Sequence, residues 1–165
     1  MLAGAVLDDL PEHWREALAA IAQALRAVYE AQPWMVSAAG QRLLLGPNLI
    51  RHVEQGLSAT ASLDLGWNKR LVIMCVVDTY VLGYAQVGSS RRIQSLRARF
   101  DETGSRTAIQ SYLQGLLDTG QFSSLDQLGA NSFLADFDKE RIFETGLDWL
   151  LTSIAVQLGL PSPRS

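Results

Sequence analysis

Redox-active and metal-binding side chains are scarce in this chain. Its 165 residues include one cysteine, Cys75, and two histidines, His13 and His52. One cysteine can form neither an intrachain disulfide nor a thiolate zinc site, and it fits a reducing compartment. The histidines lie far apart, and no Glu-x-x-His pair occurs, so the ligand set of a di-iron helical bundle is missing. His52 and Glu54 are two positions apart and would face different sides of a helix. No metal and no cofactor are expected. Charged residues are few, at 19%, and the net charge of −3 argues against binding nucleic acid by this chain itself. There is no Gly-x-Ser-x-Gly motif and no glycine-rich phosphate loop. Met1 to Asp9 has no basic n-region and turns acidic at Asp8, so no signal peptide is expected.

Apolar residues, by contrast, make up 48% of the chain, enough for a real core. They recur at helical period and never alternate with period two over a useful length, so the expected fold class is all-α. Trp14, Leu18, Ile21, Leu25, Val28 and Tyr29 mark one face of a helix opened by Pro11 and Glu12 and ended near Pro33. Another helix runs from Trp34 to Leu45. Gly46-Pro47 starts the next, with Leu49, Ile50, Val53 and Leu57 on one side. After Leu65-Gly66 a long helix runs from Trp67 to about Ser90. Its stretch from Leu71 to Ala85 is apolar almost all round. Residues 91–106 hold five of the 14 basic residues and read as a frayed helix end and a loop. Thr107 to Thr119 is helical again and stops at Gly120. Ser124-x-x-Gln127 has the form of a capping box. The last helix, 138–158, has Asp138 as cap, Phe137 and Ile142 spaced as a hydrophobic staple, and Gly159 and Pro161 as terminators.

The long helix and the last one set the main expectation. A chain of this length has limited interior, and no single flank can bury a helix that is apolar all round. A second copy of the molecule covering part of both helices is the economical solution, which makes the chain a homodimer. The run around Val76 is interrupted by Asp78 and lacks membrane anchors, so a buried helix is expected and no membrane partner. Gly83 and Gly146 interrupt these two helices at a cost of about 1 kcal/mol each relative to alanine. Close approach of another helix would explain them. Cys75, on an apolar helix, reads as a small, inert core residue. Asp78 requires either a hydrogen-bond partner on a neighbouring helix or subunit, or a wet cavity in which it anchors a ligand. Trp14, Trp34, Trp67, Tyr112, Phe133 and Trp149 read as core or interface filling.

The order of these motifs resembles the C-terminal domain of TetR-family transcriptional regulators. Trp14-Arg15-Glu16-Ala17-Leu18 and Gln32-Pro33-Trp34 resemble the family's Trp-start helix and its His-Pro-Trp turn, with Gln32 where histidine is frequent. Leu45-Gly46-Pro47-Asn48, Leu65-Gly66, Tyr80-Val81-Leu82-Gly83-Tyr84-Ala85 and Phe143-Glu144-x-Gly146-Leu147-Asp148-x-Leu150-Leu151 resemble the later landmarks. The likeness covers about residues 8–158. It implies an effector-binding and dimerisation domain over 10–160, preceded by the end of a connecting helix at 1–9 and followed by a tail at 161–165. It also implies a four-helix-bundle dimer seam containing Tyr80, Gly83, Tyr84, Leu147, Leu150, Leu151 and Ile154. Aligned on Leu82-Gly83, the effector cavity would be lined by Leu71, Met74, Cys75 and Asp78, with Ile21, Leu25, Leu49 and Val53 as other walls.

The lining is aliphatic where tetracycline-binding members place polar groups and magnesium. A largely apolar small molecule with one polar or cationic group therefore suits it better. DNA would be bound only through an N-terminal helix-turn-helix head, expected to be missing here, so the whole reads as the non-enzymatic core of a cytoplasmic repressor. Two rivals stand beside that reading. One is a small helical enzyme with His52, Asp78 and Cys75 in one cleft; the other is a headless dimeric scaffold.

Overall fold

The computed structural model describes residues 3–39, 46–89, 103–127 and 138–160. Within them the regular structure is all helical. A short 3-10 turn, Ala3–Ala5, precedes α1 (Trp14–Ala31), α2 (Trp34–Ala39), α3 (Pro47–Ala59) and α4 (Trp67–Ser89). Then come α5 (Thr103–Leu117), α6 (Ser123–Asp126) and α7 (Lys139–Leu158). The chain divides into two compact units, 1–89 with 143–165, and 90–142.

Several boundaries follow the sequence punctuation. Gly46 is extended and Pro47 takes the first helical position of α3, where its missing N–H costs nothing. Asp138 Oδ1 accepts the Arg141 N–H at 3.1 Å and caps α7. Gly159, at φ 63°, lets the Leu160 N–H return to the Ala155 carbonyl at 2.9 Å, closing α7. Other boundaries differ. α1 begins at Trp14 rather than at Pro11, because His13 is still extended. No side chain caps α6, and Ser124 lies inside it, so the expected capping box is not formed. The staple expected from Phe137 lies outside the described residues.

In the first unit α1 is the central pillar. Its Trp14, Leu18, Ile21, Leu25 and Tyr29 are buried, as their three- and four-residue spacing dictates. α4 meets this face with Ile73, Val77, Val81 and Ala85, and α7 meets it with Phe143, Leu147, Leu151 and Ala155. Phe143, fully buried, is where the three helices converge. Tyr84 packs edge-on against it at 5.0 Å, Tyr80 lies tilted at 5.5 Å, and the Arg26 guanidinium sits 4.6 Å from its centroid. Arg15 of α1 also ties down α7, its Nη2 lying 2.7 Å from both Asp148 Oδ1 and Thr152 Oγ1.

α3 and α4 run antiparallel and meet at steps of four residues. Arg70 Nε donates to Thr60 Oγ1 at 3.2 Å, and the same guanidinium reaches the Leu57 carbonyl. One turn on, Met74 lies against Gly56, whose missing Cβ would fall 2.6 Å from Met74 Cγ. One turn further, Asp78 meets His52 at 3.0 Å. The small residue at the middle step is what lets the polar steps on either side close.

In the second unit, described by itself, α5 packs against α6 across a turn in which Gly120 takes φ 70°. Thr119 Oγ1 donates to the Leu116 carbonyl at 2.6 Å and secures the end of α5.

The two helix-interior glycines have different explanations. At Gly146 an added Cβ would meet the Tyr80 hydroxyl, with ring carbons at 3.1 and 3.2 Å; that hydroxyl donates to the Phe143 carbonyl at 2.8 Å. The close neighbour is therefore α4 of the same chain. Gly83 faces open space. Gly146→Ala is expected to cost about 1–3 kcal/mol by overpacking, despite the gain in helix propensity. In a Tyr80→Phe background, which removes the nearest atom, the cost should shrink. Chemical denaturation of the four proteins measures this, and equal costs in both backgrounds would contradict it.

Candidate functional site

The polar group that most needed a partner on α4 has one. Asp78 projects toward α3, where His52 Nε2 lies 3.0 Å from each carboxylate oxygen. A carboxylate only accepts, so Nε2 is the nitrogen that carries the proton. His52 is 2% exposed, whereas the Asp78 side chain is 28% exposed. The imidazole therefore orients the carboxylate from behind and leaves it accessible on the other side. His52 Nδ1 is buried and makes no hydrogen bond. Tyr29 of α1 stands close enough to sense Asp78. Burial first, and then the negative charge of Asp78, push its phenol above the ordinary value of 10.0.

The other expected lining residues divide by depth. Ile21, Leu25 and Met74 are core residues, while Leu49, Val53 and Leu71 are half-buried. Cys75 is a correction. It is exposed rather than buried among core residues, because α4 turns Ile73, Met74 and Val77 inward and places Cys75 on the opposite side. No hydrogen bond joins it to His52 or Asp78. His52 was read from the sequence only as a possible member of a cleft. Its partnership with Asp78 links positions 26 apart, a pairing visible only once α3 and α4 lie antiparallel. Among the described residues no group of three or more metal-ligating side chains comes together.

The second candidate surface is the outer side of α4 and α7. Leu147 and Leu151, expected in a dimer seam, are 4% and 2% exposed within the chain itself. They are taken up by its own core and leave almost no area for a partner. Tyr80 and Tyr84 are half-buried against Phe143. Gly83 is exposed, and Leu150 and Ile154 are half-buried. The largest apolar exposure on these helices lies at Trp67, Val72 and Val87 of α4 and at Trp149 and Val156 of α7. Val72, Val76, Leu150, Ile154 and Leu158 line an apolar groove of about 390 Å³ between the two helices.

This helical unit, with a buried imidazole on a partly exposed carboxylate and an exposed apolar face on α4 and α7, resembles known proteins. Residues 8–158 match the family described as Tetracyclin repressor-like, C-terminal domain. The chain belongs to this family of TetR-type transcriptional regulators. It is 26% identical over 143 residues to the HTH-type transcriptional repressor DrrR1 of Streptomyces coeruleorubidus, covering 87% of this chain and 52% of that protein. It is 30% identical over 148 residues to an HTH-type transcriptional regulator of Saccharopolyspora erythraea, covering 89% and 58% respectively. The chain thus spans about half the length of the curated relatives it matches.

The Tyr29 environment has a consequence at alkaline pH. The fold holds the neutral phenol, so its contribution to stability is complete below pH 10 and is lost as pH rises through the raised folded value. Spectrophotometric titration of the native protein should show that Tyr29→Phe removes a phenol ionising above pH 10. Loss of one that ionises at the ordinary value would contradict this account of the site.

Proposed function

We propose that this chain is the effector-sensing, dimerising core of a TetR-like transcriptional repressor. In the full-length regulator, DNA binding belongs to an N-terminal helix-turn-helix head. Two facts support that division: the relatives are named HTH-type regulators, and the match covers only about half of each. The effector is a largely apolar small molecule with one polar or cationic group facing Asp78. The observation that carries this reading is the Asp78 carboxylate, oriented by a buried imidazole yet partly exposed beside half-buried Leu49, Val53 and Leu71. A carboxylate has about four acceptor positions, and the single N–H of His52 leaves others for a ligand donor. The site of action is the cytoplasm, where a regulator of this kind meets both effector and DNA.

Dimerisation uses the outer faces of α4 and α7. α4 has the length and composition to cross a membrane. Its polar steps to α3 and its inner face against α1 instead fit a helix held within a folded domain, with a second copy on its outer side. Gly83, Leu150 and Ile154 remain in this seam, joined by Val72, Val76, Val87, Trp149 and Val156.

The enzyme reading draws on one observation, the His52–Asp78 pair. A general base needs an accessible nitrogen within reach of the proton it takes. Here Nε2 is occupied by Asp78, Nδ1 is buried, and the thiol of Cys75 is bonded to neither residue. The pair therefore suits positioning better than proton transfer.

Two experiments test the proposal. Asp78→Asn keeps the size and removes the charge. With a polycyclic aromatic amine selected by thermal-shift screening, titration calorimetry should show affinity weakened by roughly 1.5–3 kcal/mol, with dimerisation little changed. Unchanged affinity together with a lowered melting temperature would make Asp78 purely structural. For the seam, Leu150→Asp or Ile154→Asp would bury an unpaired charge and should give monomer or aggregate in sedimentation. A fully stable dimer would contradict this choice of face.

A further inference from the structure

Three helices of the first unit bring a polar side chain to the same place, and two of the three are buried. Asp78 of α4 is held from α3 by His52, 2% exposed, whose Nε2 lies 3.0 Å from each carboxylate oxygen. The third is Tyr29 of α1, 8% exposed. It belongs to the same core cluster as Val77, the neighbour of Asp78. The helix register agrees. The Arg26 guanidinium, three residues earlier on α1, stands 5.3 Å from the centroid of Tyr84, six residues beyond Asp78 on α4. Tyr29 itself feels the charge of Asp78, as expected of helices that run antiparallel here.

His52 and Asp78 answer each other, but Tyr29 is unanswered. Among the described residues none is hydrogen-bonded to its hydroxyl. A buried phenol in that position has given up its bonds to water without replacement. Burial first, and then the charge of Asp78, keep it protonated, so it is a donor in want of an acceptor. An ammonium group cannot supply one, because it only donates. It can satisfy Asp78 and still leave the phenol bare. A ligand that satisfies both must carry an oxygen close to its nitrogen.

We propose, resting on the effector-sensing reading above, that Tyr29 is a specificity-determining contact of the effector site, its hydroxyl donating to an oxygen beside the nitrogen held by Asp78. The effector class is then narrower than an apolar cation. It is an apolar amine with a neighbouring hydroxyl, carbonyl or ether oxygen. A site built around a buried donor disfavours the analogue that lacks the acceptor, since that analogue leaves the donor unpaired.

The test is titration calorimetry on the whole chain with two matched probes. One is naphthylethylamine, and the other is its counterpart with a hydroxyl on the carbon bearing the ring. The unaltered chain should bind the hydroxylated probe about fivefold more tightly or better. Tyr29→Phe, which keeps the ring in the core, should bring the two probes to parity by weakening only the hydroxylated one. Asp78→Asn should weaken both alike. The preference is a ratio within one protein, so a loss of stability common to both probes cancels. Equal affinities in the unaltered chain would overturn the inference and leave the sensor reading standing. So would a Tyr29→Phe protein that keeps the preference, or one that loses both probes equally, because the phenol would then act by packing or by accepting from the ammonium. If the unaltered chain binds neither amine, the reading of a cation-accepting site fails and this inference with it.

Discussion

A helix that is apolar on more sides than its own chain can cover leaves apolar surface exposed. α4 is such a helix, and the rest of the structure is arranged around that constraint. Its inner side, Ile73, Val77, Val81 and Ala85, meets α1 and helps form the core. Burying each such side chain contributes about 1.5–3 kcal/mol, upper values that depend on the reference for the unfolded chain. Its outer side leaves Val72, Val76 and Val87 largely or partly exposed among the described residues. Contiguous apolar exposure of this kind marks an interaction surface. α7 repeats the pattern, with Phe143, Leu147 and Leu151 inward and Trp149 and Val156 outward.

The same helix carries the one acidic side chain of the candidate site. Asp78 is held at the third step of an antiparallel contact whose middle step is Met74 against Gly56. A larger residue at Gly56 would have to displace the Met74 side chain or push α3 away, and the second would move His52 with it. Packing at an apolar position therefore sets the geometry of a polar pair one turn away. In the proposed sensor this gives α4 two borders, the carboxylate on one side and the partner copy on the other. A ligand could shift the arrangement of the dimer only through a difference in its affinity for two arrangements. A helix shared by both borders gives that difference a short physical path.

The all-α class, the order of the helices and most of their ends were legible in the sequence. Their signals are local: Gly46-Pro47, Asp138 and Gly159 act within one turn of where they stand. What failed was angular. Leu147 and Leu151 share the apolar periodicity of Leu150 and Ile154, and a sequence does not say which side of a two-sided stripe faces home. Cys75 was misread for the same reason, since on a helix apolar all round only the neighbours decide what is inside. The close approach at Gly146 was anticipated, yet the approaching group is Tyr80 of the same chain. Asp78 was recognised as needing a partner. Its partner, His52, lies 26 positions away, and nothing local in the sequence joins the two.

The central claim is that the uncovered sides of α4 and α7 are covered by a second copy of this chain. Sedimentation equilibrium of the unaltered protein at micromolar concentration addresses it most directly. The account predicts a single species of twice the 18.1 kDa chain mass, persisting on dilution as expected for an obligate apolar seam. A soluble, well-folded species at the mass of one chain across the same range would contradict it.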